Sequence, residues 1–418
     1  PEPMIRIDRV ATWIFIAAFA MLVPSIQFLG YLDECVAVAL LALAVADSML
    51  NTGAWRRYRL LWILWGIMAF YAVYSMTVVN YTSRMPIIID TLIESKPFIT
   101  LFVMMAVRPV LTGADKKLLR GIAVVNVVVC ALVLLLPNSY IRMAIQHISY
   151  GGIFIFLSTL VYMMCSIRSD GTISSHNKLT IVVMALTGLT CGRSKFYAEF
   201  VFLLFFLFAY RPGILRRITL RQIAGAALLV ALVVAVTWRK FSFYFLTGNS
   251  GATTFDPSVV ESFARPVLYF TGFRILLDHI PFGTGLASFA SFRSIEPYSG
   301  VYTEYGINRV HGLSPEMPSF ICDAYYPSLA QFGIVGVALF AWLIAYVIRL
   351  IGSLVRCGSS PQIALYSVGM LCVLFVLIES TTGTAMVNCG GVMAMLILGI
   401  VAGRAIDRLS SASVDQSV

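Results

Sequence analysis

The sequence predicts an all-α integral membrane protein with about twelve transmembrane helices and one long loop outside the bilayer. Three observations carry that expectation. Hydrophobic residues make up 59% of the 418-residue chain and charged residues 12%, against about 25% charged in a typical soluble domain. Apolar segments near the roughly 20 residues that cross a bilayer alternate with short polar connections. The alternation stops over residues 239–326, where a polar stretch carries Arg265, Arg274, Arg293, Arg309 and His311.

The first nine segments occupy residues 1–238 as an N-terminal bundle: 10–30, 35–50, 60–80, 87–109, 119–137, 151–167, 179–191, 197–210 and 222–238. Two of them, 35–50 and 179–191, are short for a span. The segment 87–109 contains Asp90, Glu94 and Lys96. Ionisable groups inside a membrane are costly, and their default reading is functional. The structural alternative is an internal Glu94–Lys96 or Asp90–Lys96 pair that satisfies both charges.

The long loop does not read as a linker. Asp256 followed by Pro257 has the form of a helix cap and first helical residue. Apolar residues then recur at helical spacing from Ser258 to His279 (Val260, Phe263, Val267, Phe270, Phe273, Leu276, Leu277), with a kink expected at Pro266. Pro281-Phe282-Gly283-Thr284-Gly285 is a turn. Ser314-Pro315-Glu316, just after His311, is expected to open a second helix running into the tenth segment. The loop should fold as a small helical cap whose Phe and Tyr side chains sit partly in the lipid interface. Three further spans, 328–350, 363–380 and 385–403, fill residues 327–403. A polar, Ser-rich tail, 404–418, is expected to be disordered. No repeat of 20–50 residues is present.

The net charge of +10 fits membrane orientation better than nucleic-acid binding. With the N-terminus in the cytoplasm and twelve spans, 19 of the 30 Lys and Arg residues fall on the cytoplasmic side. The short outer loops are poor in positive charge, as the positive-inside rule requires. Both termini are then cytoplasmic, and residues 239–326 lie outside.

Candidate functional residues gather on that outer side. Arg265 offers a bidentate fork suited to phosphate oxygens, or is a solvated Arg on an amphipathic helix. Arg193 and Lys195, in Cys191-Gly192-Arg193-Ser194-Lys195, form an anion site opposite the loop, or a pair of headgroup anchors. His311, in Arg309-Val310-His311-Gly312, is a candidate general base, or a hydrogen-bonded loop histidine. No acidic metal-binding signature, P-loop, dinucleotide fingerprint or nucleophile elbow appears. An enzyme built this way would use a pre-activated substrate with a good leaving group, without cofactor or metal.

The order and placement of these elements resemble the bacterial O-antigen ligases, in the superfamily that also holds O-antigen polymerases and protein O-oligosaccharyltransferases. The resemblance covers about residues 190–340. It rests on Arg193 at the outer end of a middle span, preceded by Gly192 where the family often has Ser. It continues with Ala264-Arg265, Asp278-His279-Ile280-Pro281, Gly283-Thr284-Gly285, His311-Gly312, and Gln331-Phe332-Gly333-Ile334-Val335-Gly336. It implies a GT-C-like, metal-independent glycosyltransferase of the bacterial inner membrane, working on the periplasmic side. The donor would be a glycan on undecaprenyl diphosphate, and the acceptor a sugar hydroxyl of the lipid A–core oligosaccharide. Arg193, Arg265, Lys195 and Arg309 would face the donor diphosphate, with His311 as the base or as a diphosphate ligand.

Two enzymes of the superfamily remain as alternatives, the polymerase and the protein oligosaccharyltransferase. A lipid-linked glycan transporter is the non-enzymatic alternative. It would be expected to show paired repeats and cations along a lumen, and the sequence shows neither.

Overall fold

The structure, a computed structural model, describes residues 6–211, 231, 235, 238, 263–356 and 362–415. Most of the ninth expected span, and the expected helix start at Asp256-Pro257, lie outside the described residues. Among the described residues the regular structure is helical, with one isolated β-bridge between Ser314 and Met317.

Ten helices make up the first part: α1 (Ile7–Ala20), α2 (Ser25–Phe28), α3 (Leu32–Leu50), α4 (Arg59–Tyr74), α5 (Arg84–Val107), α6 (Gly113–Leu134), α7 (Asn138–Ile145), α8 (Ile148–Cys165), α9 (Ser175–Gly188) and α10 (Ser194–Leu204). Beyond residue 262 come α11 (Ala264–Asp278), α12 (Gly300–Glu304), α13 (Tyr325–Ser328), α14 (Gly333–Arg356), α15 (Ile363–Glu379) and α16 (Cys389–Asp415). Five helical stretches are long and apolar enough to cross a membrane: Ala54–Val79, Gly113–Leu134, Ile148–Cys165, Tyr325–Arg356 and Cys389–Ser411. Helix α15 is a shorter apolar helix. The chain is thus a helical, membrane-embedded protein.

Two helices form the centre. The apolar stretches of α8 and α16 are buried over most of their length, because they are hydrophobic on every face. Helices α5, α6, α15 and α3 pack around them. Polar groups collect at the helix ends. At one end, Arg9 pairs with Asp115 (2.7 Å) and Arg108 with Asp407 (2.9 Å), while Tyr58 donates to Asp47 (2.6 Å). At the other end lie the first turns of α3, α8 and α10 and the last turn of α15.

Residues 263–332 fold around their own apolar cluster (Ala264, Val267, Leu268, Ile275, Phe289, Val301, Tyr302, Leu313, Ile321) and seat on that second end. Backbone contact makes the seat. Gly283 and Gly333 have φ of +76° and +60°, and a Cβ on either would strike the backbone of the other's turn. Gly285 N–H donates to Gln331 O (2.9 Å). The two glycine motifs, about fifty residues apart in sequence, therefore touch. The Tyr71 hydroxyl donates to Phe332 O (2.6 Å) and the Tyr74 hydroxyl to Gly283 O (3.0 Å), so α4 grips both turns. Asp90 on α5 accepts from Ala287 N–H (2.7 Å).

Four expectations need correction. Residues 404–415, expected to be disordered, continue helix α16 as far as Asp415. Lys96 pairs with Asp33 and with Glu34 (2.6 Å) rather than with Asp90 or Glu94. Residues two or six apart on a helix point to different faces, so neither internal pair can form. Pro266 does not kink a helix. Phe263 is extended (φ −114°, ψ 126°) and α11 begins at Ala264, which puts Pro266 in the first turn, where its missing N–H is not needed. No helix opens at Ser314. Continuing one would require an N–H at position 318 to bond Ser314 O, and that residue is Pro318; turns and the Ser314–Met317 bridge form instead.

Candidate functional site

Arg193, Lys195 and Arg265 stand where the first turns of α10 and α11 approach the end of α15. Arg193 is the extended N-cap of α10 (φ −100°, ψ 126°). It follows Gly192, whose φ of +63° suits glycine over the serine of the related pattern. Arg193 Nη2 lies 2.7 Å from His147 Nε2, and His147 caps α8 by accepting from Ser149 N–H. Lys195 donates to Glu379 Oε2 (2.5 Å) and to Thr382 O (2.7 Å). Glu199, buried on α10, lies close enough to Glu379 for the two carboxyl groups to interact. Arg193, Lys195 and Glu379 line one small pocket, with Ser149, Gly152 and Cys191.

Arg265 stands in the first turn of α11 and forms an ion pair with Asp323. Burial pushes the Asp323 carboxyl up from its ordinary range, while the charges of Arg265, Lys195 and Arg193 pull it back. One half-buried carboxylate therefore lies in the field of all three cations. Sequence reasoning named the cations and missed Asp323, Glu379, Glu199 and His147. A carboxylate at the end of an apolar span, as Glu379 is, was the available signal.

His311 and Arg309 stand on an exposed turn between α12 and α13. Among the described residues, the partner of the His311 ring is Phe320, with centroids 6.1 Å apart. Gly312 (φ +85°) makes that turn, and a side chain there would strike the Phe320 ring. The turn rests on α11 indirectly, through Leu313 and Ile321, which share an apolar cluster with Ala264. Asp278 and His279 are held in the cap. The Tyr305 hydroxyl donates to Asp278 (2.9 Å), and the His279 ring lies between those of Tyr81 and Tyr305.

An apolar groove with a cavity volume of about 160 Å³ reaches Tyr325. Helix α4 forms one wall (Leu60, Ile63, Leu64, Ile67, Met68), α14 the other (Gly336, Leu339, Phe340, Trp342, Leu343), and Phe98 and Phe102 of α5 the floor. Ile63 and Trp342 expose about half their surface, so the groove opens on the face that lipid would cover. Glu94 and Tyr325 also line it. Tyr325 is two residues from Asp323. A molecule with a hydrocarbon chain and an anionic head could lie along this path, chain in the groove and head at Arg265.

Compared with known proteins, the chain matches no family model and no curated protein.

Proposed function

We propose that the chain is a glycosyltransferase that moves a whole glycan from undecaprenyl diphosphate to a sugar hydroxyl of lipid A–core oligosaccharide, on the periplasmic side of the bacterial inner membrane. The observation that supports this reading best is the pairing of Arg265 with Asp323, with Arg193 and Lys195 near enough for their charges to act on the same carboxylate, on a chain that also carries an apolar groove reaching Tyr325. A polyprenyl diphosphate has the matching form. Its chain is apolar and its head carries several negative charges.

In the proposed step the acceptor oxygen attacks the anomeric carbon of the donor. A bond forms from that oxygen to the carbon as the bond to the phosphate oxygen breaks, with inversion. The electron pair leaves on the diphosphate, where fixed guanidinium groups lower the barrier by meeting charge as it develops. The hydroxyl proton passes to a base, and His311 is the candidate. The diphosphate is already a good leaving group, so the step is written without metal or cofactor. In the same reading the chain crosses the membrane about twelve times, with both termini in the cytoplasm and residues 239–326 in the periplasm.

The test is acceptor dependence. Purified protein should release undecaprenyl diphosphate from a lipid-linked glycan only when rough lipopolysaccharide is added, and EDTA should not prevent it. Extension of one lipid-linked glycan by another, without lipopolysaccharide, would instead identify a polymerase.

A further inference from the structure

We propose that Asp323 is an internal competitor for the diphosphate: it holds Arg265 in exchange with the phosphate oxygens and, by reclaiming that arginine, helps expel the spent carrier. This inference rests on the functional reading above.

The geometry carries the argument. The Arg265 guanidinium engages Asp323 through Nη2, with the two side chains 26% and 30% exposed. A guanidinium presents its N–H donors along fixed planar edges, so a phosphate that takes the edge Asp323 holds must displace the carboxylate. Displacing Asp323 does not strand it, because Lys195 and Arg193 also act on its charge.

The chemistry gives the exchange a purpose. Donor and spent carrier both bear a diphosphate, and three cations would hold the two about equally. Binding that is uniform across the reaction does not speed it and slows release of the product. An internal anion weakens the hold on every diphosphate by one common factor. It leaves untouched the added attraction that arises only as charge develops on the leaving oxygen.

The test uses the full-length protein in detergent, with inorganic pyrophosphate and inorganic phosphate as probes. Asp323→Asn should bind both about tenfold more tightly than wild type, with the ratio between them unchanged, since a competitor scales every anion alike. In the transfer reaction the same variant should show a lower KM for the lipid-linked donor and a lower kcat, with stronger inhibition by added undecaprenyl diphosphate. A carboxylate that merely supports the fold would not move KM and kcat down together. Carbodiimide labelling of the wild-type protein, read by mass spectrometry, gives a measure that needs no variant: Asp323 should become more reactive on saturation with pyrophosphate. Unchanged or weaker pyrophosphate binding by a folded Asp323→Asn protein, or no rise in Asp323 labelling, overturns the inference. Neither readout needs glycan transfer. Tightened binding without any transfer activity removes the glycosyltransferase reading alone, and transfer without tightened binding removes this inference alone.

Discussion

Lys195 Nζ lies 2.5 Å from Glu379 Oε2, and this pair ties the first turn of α10 to the last residue of α15. Both side chains are largely buried, and Glu199 lies close enough to Glu379 for the two carboxyl groups to interact. Removing one partner of a buried ion pair leaves an uncompensated charge, at a typical cost of about 3–5 kcal/mol. Lys195→Met should therefore lower the unfolding temperature sharply in detergent, and Lys195→Met with Glu379→Gln should recover much of the loss. A single variant as stable as wild type would mean that the pair is solvated.

Asp90 should act as the anchor of the cap. Its carboxylate accepts from Ala287 N–H, and Leu286 next to it is held by Ser75 Oγ (2.8 Å). Asp90→Ala leaves a buried donor without its acceptor, at about 1–3 kcal/mol. Limited proteolysis should then cut within residues 279–324 faster than in wild type, with the helical bundle intact. Equal cleavage rates would show that the glycine seat alone holds the cap.

Orientation in the membrane can be read by thiol labelling of intact cells, with Cys35, which is exposed, first changed to Ser. A cysteine at Glu316, an exposed position in the cap, should react with an impermeant reagent, and one at Ser413 should not. Labelling of the tail from outside would reverse the proposed topology.

Arg193→Lys and Arg265→Lys should each reduce transfer by about 10²–10³-fold, the usual effect of losing one preorganised donor to a developing oxyanion. Lysine keeps the charge but loses the planar fork. His311→Ala should abolish visible product, since a general base contributes about 10²–10⁴-fold, while pyrophosphate binding stays near normal. If pyrophosphate binding collapses instead, His311 is a phosphate ligand.

Much of the helical architecture was legible in the sequence because a bilayer enforces it. Apolar runs must form helices there, and helices stand at eleven of the twelve expected segments; the remaining one lies mostly outside the described residues. Contacts between distant segments were not legible. Gly283 read as a local turn and Gly333 as part of the Gln331–Gly336 element, and their packing against one another depends on two distant segments meeting in space. Lys96 was assigned a partner on its own helix, when its partners Asp33 and Glu34 come from α3. Arg193 and Lys195 stood out in the sequence because they break the positive-inside trend, and Arg265 because it stands in the one long polar loop. Asp323 did not, because one carboxylate in a polar loop carries no signal until the structure sets it against Arg265.

The central claim is transfer of a glycan from a diphosphate-linked lipid to lipopolysaccharide at the Arg193–Arg265 cluster. The most direct measurement mixes purified protein, glycan-bearing undecaprenyl diphosphate and rough lipopolysaccharide, then follows high-mass lipopolysaccharide on gels and released undecaprenyl diphosphate by mass spectrometry. The account predicts that both products appear in equal amounts with wild type, persist in EDTA, and fall at least about 100-fold with Arg265→Lys at matched protein levels. Absence of product from folded wild-type protein, or full activity in Arg265→Lys, would contradict it.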